Sequence, residues 1–187
     1  MPDFINPDEV LEQLNLKPEM IAADFGCGSG GWTIPLAKRL KDGRVYAIDI
    51  QEEPLSVFIS KVALEKITNI QPIQADVEDE NGIKIYSSSC DLVLLTNLLF
   101  QTENDEQVFR EAERILKPKG MILVIDWNPG DSGDSEITFG PKGKRISAEE
   151  VEKIAEKFNL KLEKKFKAGK FHYGLIFRKY EQIFKNS

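Results

Sequence analysis

The chain has very few of the residues that mark secreted, metal-binding or membrane-spanning proteins. Its 187 residues include two cysteines and one histidine, which excludes a disulfide framework and leaves no cluster with metal-ligand spacing. No apolar run approaches the roughly 20 residues of a membrane span, and residues 1–7 lack the basic and apolar regions of a signal peptide. We therefore expect one cytoplasmic domain over residues 1–187, without a metal and without a membrane span.

Acidic residues outnumber basic residues, with 31 Asp or Glu against 25 Lys or Arg, so the formal net charge is −6 at pH 7. This balance argues against generic nucleic-acid binding. The charge is uneven, because residues 161–187 hold eight Lys or Arg and only two Asp or Glu. Two interpretations stay open for this basic end: solvated lysines on a terminal hairpin, or a docking patch for an acidic partner.

The most informative segment is a glycine-rich turn between a short apolar run and a helical pattern. Residues 20–31 read MIAADFGCGSGG, and helical spacing follows. Glycines allow positive φ and close approach of a ligand to the backbone, and the first turn of a helix offers unpaired N–H groups. This strand, turn and helix predict a site for a nucleotide-like ligand.

Two carboxylates refine that prediction. Asp49 ends the second predicted strand, where a carboxylate can bind both hydroxyls of a ribose. Asp24 stands immediately before the glycine turn, a place that suits a ligand with an ammonium group and disfavours a pyrophosphate by like-charge repulsion. Asp24 therefore argues against a dinucleotide, although Gly26, Gly28 and Gly31 also fit the GxGxxG pattern.

Strand and helix patterns alternate along the rest of the chain. The sequence predicts a helical cap over residues 1–18 and a βαβ series, with strands near 20–25, 44–49, 70–74, 91–95 and 121–126 and helices near 31–41, 54–66 and 104–116. Residues 128–146 are rich in Gly, Pro, Ser and Asp and are too long for an ordinary connection, so we interpret them as a substrate lid. A helix over 147–158 and two strands, 161–168 and 171–179, complete the chain.

These motifs together resemble class I S-adenosylmethionine-dependent methyltransferases, in the small-molecule branch called methyltransferase type 11. The resemblance covers nearly the whole chain, with Lys119 standing where that group usually has glycine. It implies an α/β, three-layer αβα Rossmann-like sandwich with a seven-stranded sheet in the order 3-2-1-4-5-7-6 and an antiparallel terminal hairpin. It also implies S-adenosylmethionine as cofactor, S-adenosylhomocysteine as product and a small-molecule methyl acceptor.

Cofactor residues are carried over by their positions at the strand ends. The resemblance places Asp24 and Asn97 near the methionine moiety, Asp49 on the ribose, and Ile50 and Asp76 on the adenine. The complete predicted set is Asp24, Phe25, Gly26, Cys27, Gly28, Gly30, Asp49, Ile50, Asp76, Val77 and Asn97.

The acceptor must lie at the same carboxyl edge of the sheet. His172 is the candidate base at neutral pH, with Tyr173 beside it, and a simple polar role at the hairpin mouth is the alternative. Phe100 and Trp127 either stack on the acceptor or pack internally, and Arg145 either pairs with an anionic acceptor or lies at the surface.

Two other functions remain open from the sequence. An NAD-linked Rossmann oxidoreductase would share the glycine turn, although Asp24 and the terminal hairpin disfavour it. A non-catalytic cofactor-binding subunit would use Lys161, Lys164, Lys165 and Lys167 for docking.

Overall fold

A computed structural model describes residues 5–80, 82–129 and 144–180. The helices are α1 (Pro7–Leu11), α2 (Thr33–Arg39), α3 (Glu52–Leu64), α4 (Asp105–Ile115) and α5 (Ala148–Glu156). The strands are β1 (Ile21–Phe25), β2 (Arg44–Asp49), β3 (Ile70–Gln74), β4 (Cys90–Thr96), β5 (Leu116–Trp127), β6 (Leu160–Ala168) and β7 (His172–Lys179).

All these strands join one sheet in the order β3-β2-β1-β4-β5-β7-β6, which confirms the predicted fold and order. The first five strands in the chain pair in parallel, while β7 runs antiparallel to both β5 and β6. The carboxyl ends of the parallel strands and the start of β7 therefore meet at one edge of the sheet.

Alternation along the strands divides the core between two faces. One face packs on α4 and α5 through residues such as Phe109 and Val151, and the other packs on α1 and α2 through Leu11 and Leu36. Phe58 of α3 covers Ala47 on the second face. The central strands are buried on both sides, which explains their continuous apolar sequences.

The first helix begins as its sequence indicates, with the Asn6 side chain accepting from the Asp8 N–H and Pro7 in the first turn. The helix ends at Leu11, before the end of the cap that is predicted over residues 1–18. The predicted cap extends outside the described residues at 1–4, and the predicted lid does so at 130–143.

The predicted start of the fifth strand was wrong by five residues. The fifth strand begins at Leu116 rather than Met121, because Leu116 pairs with Cys90 across a register irregularity in β4. Lys119 within this stretch has φ +65°, a left-handed conformation that costs a lysine more than a glycine. This explains why the resembling group usually has glycine there.

The two outer strands differ from the buried ones. β3 contains Pro72, which pairs with Ala47 of β2 in register and carries no backbone N–H. β6 carries exposed lysines, among them Lys161 and Lys164.

Candidate functional site

The glycine turn is fastened to the end of the neighbouring strand. The backbone N–H groups of Gly26 and Cys27 both donate to the carbonyl oxygen of Ile48, at 2.8 and 2.9 Å. Gly28 has φ +50°, and a Cβ added there would meet no atom within 4 Å. The turn therefore presents bare backbone to open space at Gly28.

Asp49 is held beside this turn by two backbone groups. Its Oδ2 accepts from the Gly28 N–H at 2.7 Å, and its Oδ1 accepts from the Gln51 N–H at 2.9 Å. Each carboxylate oxygen accepts two or more hydrogen bonds, so both retain capacity for a ligand hydroxyl. The side chain is thus pre-positioned at the end of β2.

A cleft of about 280 Å³ opens over the turn. Ile50, which is 57% exposed, lies in its wall next to Asp49. The lining comes from the ends of β1, β2 and β3 and from the segment after β4, and consists of Gly26, Gly28, Asp49, Ile50, Gln51, Pro54, Ala75, Asp76, Val77, Glu78, Leu98, Gln101 and Thr102.

The structure thus brings six predicted cofactor residues into one cleft: Gly26, Gly28, Asp49, Ile50, Asp76 and Val77. Three others support the turn from beneath. Phe25 is fully buried in the core, Cys27 is buried, and a Cβ at Gly30 would lie 2.3 Å from the ring of Phe58. Burial raises the pKa of the Cys27 thiol well above its ordinary value, and the charges of Asp24 and Asp49 add to this effect.

Asp24 is fully buried at the end of β1 and is only half satisfied. Its Oδ2 accepts from Thr33 Oγ1 at 2.5 Å, whereas its Oδ1 has no hydrogen-bond partner within the described ranges. Burial raises the pKa of this carboxyl from 3.8 to about 7; the Thr33 hydrogen bond opposes the rise and the charge of Asp49 adds to it. Such a group favours a cationic partner.

Asn97 is a second half-satisfied acceptor at the same edge. It follows β4 with φ +52°, and its backbone N–H donates to the Ile125 carbonyl at 2.8 Å. Its buried Oδ1 likewise has no partner in the part of the chain that the structure describes. Two residues at the carboxyl ends of the adjacent strands β1 and β4 thus each carry an unpaired side-chain oxygen.

Sequence reasoning missed the residue that holds the segment after β4. Asp126 is fully buried; its Oδ2 accepts from the Leu99 N–H at 2.9 Å and its Oδ1 accepts from the Trp127 N–H at 2.7 Å. Burial raises the pKa of Asp126 to about 6, against the effect of these hydrogen bonds. This carboxylate positions the segment that brings Leu98 and Gln101 to the cleft. The only sequence signal was its place at a strand end.

The candidate base His172 is buried, with 5% exposure, and its ring centroid lies 4.0 Å from that of Trp127. Burial, aided by the charge of Arg145, lowers the pKa of His172 to about 4. The imidazole is therefore neutral at physiological pH but too weakly basic to be an effective general base. Arg145 lies 5.8 Å from the Trp127 ring and donates to the Asn128 carbonyl.

Tyr173 points to the opposite face of the sheet from His172. Its hydroxyl donates to the Ile146 carbonyl at 3.1 Å, and burial raises its pKa far above the ordinary value. This geometry fits a structural role better than the predicted catalytic one. Phe100 is half-buried in the segment after β4, and its backbone N–H donates to the buried carboxylate of Asp126.

The C-terminal end of the predicted lid is anchored at the same edge. Lys144 Nζ donates to the Thr102 carbonyl at 3.0 Å and pairs with Asp105. Residues 130–143 lie outside the described part, so the lid stays a prediction.

The lysines of β6 make intramolecular contacts. Lys165 pairs with Glu149 and Glu152, and Lys164 donates to the side chain of Gln13. These contacts favour a local role for two of the predicted docking residues.

Within the described ranges, no three His, Cys, Asp or Glu side chains are grouped so that they could hold a metal ion. Of the helices described, none has the length and apolarity needed to cross a membrane.

Known proteins resemble the chain in both sequence and fold. The family described as a methyltransferase domain matches residues 22–120, more than half of the chain. Demethylmenaquinone methyltransferase of Bacillus mycoides is 28% identical over 119 residues, covering 63% of this chain and 49% of that protein. Malonyl-[acyl-carrier protein] O-methyltransferase of Methylovorus is 28% identical, covering 65% and 41%. The chain thus spans about half the length, or less, of these curated relatives.

Among solved structures, a SAM dependent methyltransferase from Aquifex aeolicus superposes with a TM-score of 0.83. It is 24% identical and covers 94% of this chain and 90% of its own. At this identity the likeness supports the fold.

Proposed function

The chain belongs to the methyltransferase-domain family, in its class I Rossmann-like form, and we propose that it transfers a methyl group from S-adenosylmethionine to a small-molecule acceptor. The observation that carries the proposal is the carboxylate of Asp49, fixed beside the bare backbone of Gly28 in a cleft over the glycine turn. A ribose fits such a carboxylate, because its two adjacent hydroxyls can each donate to one oxygen.

The residues present fit this cofactor. Asp49 would bind the ribose, and Ile50 with Val77 would contact the adenine ring. The adenine amino group would donate a hydrogen bond to the Asp76 carboxylate. The α-ammonium would donate to the unpaired oxygens of Asp24 and Asn97, which otherwise leave two buried acceptors unsatisfied. When bound, the cofactor supplies an electrophilic methyl group on a sulfonium.

The chain's own contribution to catalysis is alignment. Holding two reactants in attack geometry can contribute roughly 7–11 kcal/mol to the rate, and no protein nucleophile is needed for a direct displacement. Because the pKa of His172 is about 4 and that of Tyr173 is raised, neither side chain is suited to remove a proton at neutral pH. The proposed acceptors are therefore those that need no strong protein base.

The alternatives have less support. An NAD-linked oxidoreductase would bring a pyrophosphate close to the buried carboxyl of Asp24, an unfavourable contact once that carboxyl ionises. Lys164 and Lys165 do not support the hypothesis of a non-catalytic subunit that docks through β6, because both side chains contact residues of this chain. A reducing cytosol suits the two free, buried cysteines.

Calorimetric titration tests the cofactor assignment through Asp49→Asn. Replacing the charged acceptor should weaken S-adenosylhomocysteine binding by about 1.5–3 kcal/mol, or roughly ten- to 150-fold in Kd. Glu53→Gln, the same charge change at an exposed position in the first turn of α3, is the matched control and should bind normally. NAD should not bind. Wild-type affinity in Asp49→Asn, or binding of NAD instead, would refute the assignment.

The reaction itself is tested with methyl-labelled S-adenosylmethionine and a panel of phenols, quinols, amines, thiols and carboxylates. Transfer to at least one small molecule is expected. Tight S-adenosylhomocysteine binding without transfer to any class would favour the non-catalytic alternative.

A further inference from the structure

Two walls of the cleft come from strands that are not neighbours in the sheet. One wall follows β3 and consists of residues 75–78, and the other follows β4 and includes Leu98, Gln101 and Thr102. Because β2 and β1 lie between β3 and β4, the two strands are three spacings, roughly 14 Å, apart. The relative position of the two walls therefore depends on contacts made above the sheet.

The side chain of Glu78 makes such a contact. Glu78 is half-buried at the end of the first wall, and its Oε1 accepts from the backbone N–H groups of Glu103 at 2.8 Å and Asn104 at 2.5 Å. We call residues 98–104, which carry the second wall, the wall segment. Among the described residues, no other hydrogen bond joins residues 75–80 to the wall segment.

Glu78 is also bonded to the residue proposed to bind the adenine amino group. Its backbone N–H donates to Asp76 Oδ1 at 2.8 Å. A continuous chain of hydrogen bonds thus runs from the Asp76 carboxylate, through the backbone and side chain of Glu78, to two N–H groups of the wall segment.

Capping of α4 does not account for both of these N–H groups. The helix begins at Asp105 and has its own cap, since the Asn104 side chain accepts from the Gln107 N–H at 3.1 Å. The N–H of Glu103 lies before the helix and outside its first turn. The bond from Glu103 to Glu78 therefore holds the wall segment rather than the helix.

The rest of the wall segment is held from other directions. Asp126 accepts from the Leu99 N–H at 2.9 Å near the sheet, and Lys144 donates to the Thr102 carbonyl at 3.0 Å. Neither contact reaches the adenine end of the cleft. Because the proposed adenine site lies over β2 and β3, the methyl acceptor must lie towards β4 and β5, next to the wall segment.

We propose that Glu78 is a positioning residue that couples the adenine site to the wall segment, so that a bound adenine fixes the wall beside the methyl acceptor. The inference rests on the proposed function. A ligand that holds Asp76 fixes the backbone of Glu78, and the fixed Glu78 carboxylate in turn retains the wall segment. The coupling is reciprocal, so a wall segment held by Glu78 also favours adenine binding.

Hydrogen exchange of the full-length protein, followed by mass spectrometry with fragmentation that resolves single amides, measures this coupling. Saturating S-adenosylhomocysteine should slow the exchange of the Glu103 and Asn104 amides by about fivefold or more. Unchanged exchange of these two amides when S-adenosylhomocysteine is bound would overturn the proposal.

Variants assign the effect to Glu78. Glu78→Ala should abolish the slowing at Glu103 and Asn104 and should weaken S-adenosylhomocysteine binding by a factor of the same order. Glu78→Gln keeps an oxygen acceptor at the same position and should retain most of both effects. Glu80→Ala removes an exposed carboxylate two residues further along the same loop and should behave like the wild-type protein. Slowing in Glu78→Ala that equals the wild-type value would refute the coupling.

A purely structural role of Glu78 gives a different pattern. Glu78→Ala would then speed the exchange of both amides by the same factor with and without ligand, and the Kd of S-adenosylhomocysteine would not change. Thermal unfolding, measured first, identifies any variant that has lost its fold. If S-adenosylhomocysteine binds but the structural pattern is found, only the assignment of Glu78 is wrong. If S-adenosylhomocysteine does not bind the wild-type protein, the proposed function itself has failed.

Discussion

The buried carboxyl of Asp24 predicts that cofactor binding releases a proton. Its pKa is about 7 in the free protein, so it is largely protonated at pH 6 and largely ionised at pH 8. A ligand ammonium placed against its unpaired Oδ1 would favour the ionised form. Binding should therefore release about nine tenths of a proton at pH 6 and about one tenth at pH 8.

The raised pKa of Asp24 should also make the free energy of unfolding of the ligand-free protein depend on pH, in a defined direction. A carboxyl whose pKa is raised on folding stabilises the fold fully below its unfolded pKa of 3.8 and loses that contribution as pH rises through about 7. For Asp24 the rise from 3.8 to about 7 corresponds to about 4 kcal/mol. The ligand's stabilising effect should accordingly be larger at pH 8 than at pH 6.

Calorimetry in two buffers of different ionisation enthalpy, such as phosphate and imidazole, measures the released proton directly. S-Adenosylhomocysteine should show the linkage, whereas methylthioadenosine, which lacks the α-ammonium, and the Asp24→Asn variant should not. Equal binding enthalpies in both buffers at pH 6 would refute the role of Asp24. Undiminished proton release in Asp24→Asn would assign it to another group.

Two further predictions concern stability. Gly30→Ala should lower the free energy of unfolding in urea by about 1–3 kcal/mol, because Gly30 has φ +82° and the new Cβ would lie 2.3 Å from the Phe58 ring. Gly31→Ala is the control, since a Cβ there meets no atom within 4 Å. Equal urea midpoints for the two variants would contradict this packing. Arg114→Met should lower the free energy of unfolding by about 3–5 kcal/mol, because it leaves the buried carboxylate of Glu111 without its ion-pair partner. Adding Glu111→Leu should restore part of this stability. A double variant that is no more stable than Arg114→Met would exclude the ion pair as the cause.

Features that depend on local sequence were well predicted. Asp49 is the last residue of its strand, a position that the βαβ pattern identifies from the sequence, and the structure places it in the cleft. The terminal hairpin was also recognisable, because two strand patterns adjoin a short turn at Gly169.

Features that depend on distant contacts were not predictable in the same way. Asp126 accepts a hydrogen bond from the N–H of Leu99, which lies 27 residues earlier in the chain. This contact depends on the path of the loop after β4, and no periodic pattern in the sequence specifies that path. The prediction that His172 and Tyr173 act together in catalysis conflicts with strand geometry, because adjacent residues of a strand point to opposite faces of the sheet. The pKa of His172 depends on burial, which sequence spacing does not reveal.

The outer strands of the sheet have a consequence for how copies of this molecule meet. Pro72 interrupts the row of hydrogen-bond donors on β3, and the exposed lysines of β6 would face one another if two such strands were brought together. Both features oppose the extension of the sheet from one molecule into the next. The chain thereby carries its own protection against strand-mediated aggregation, at positions remote from the residues that would bind a ligand.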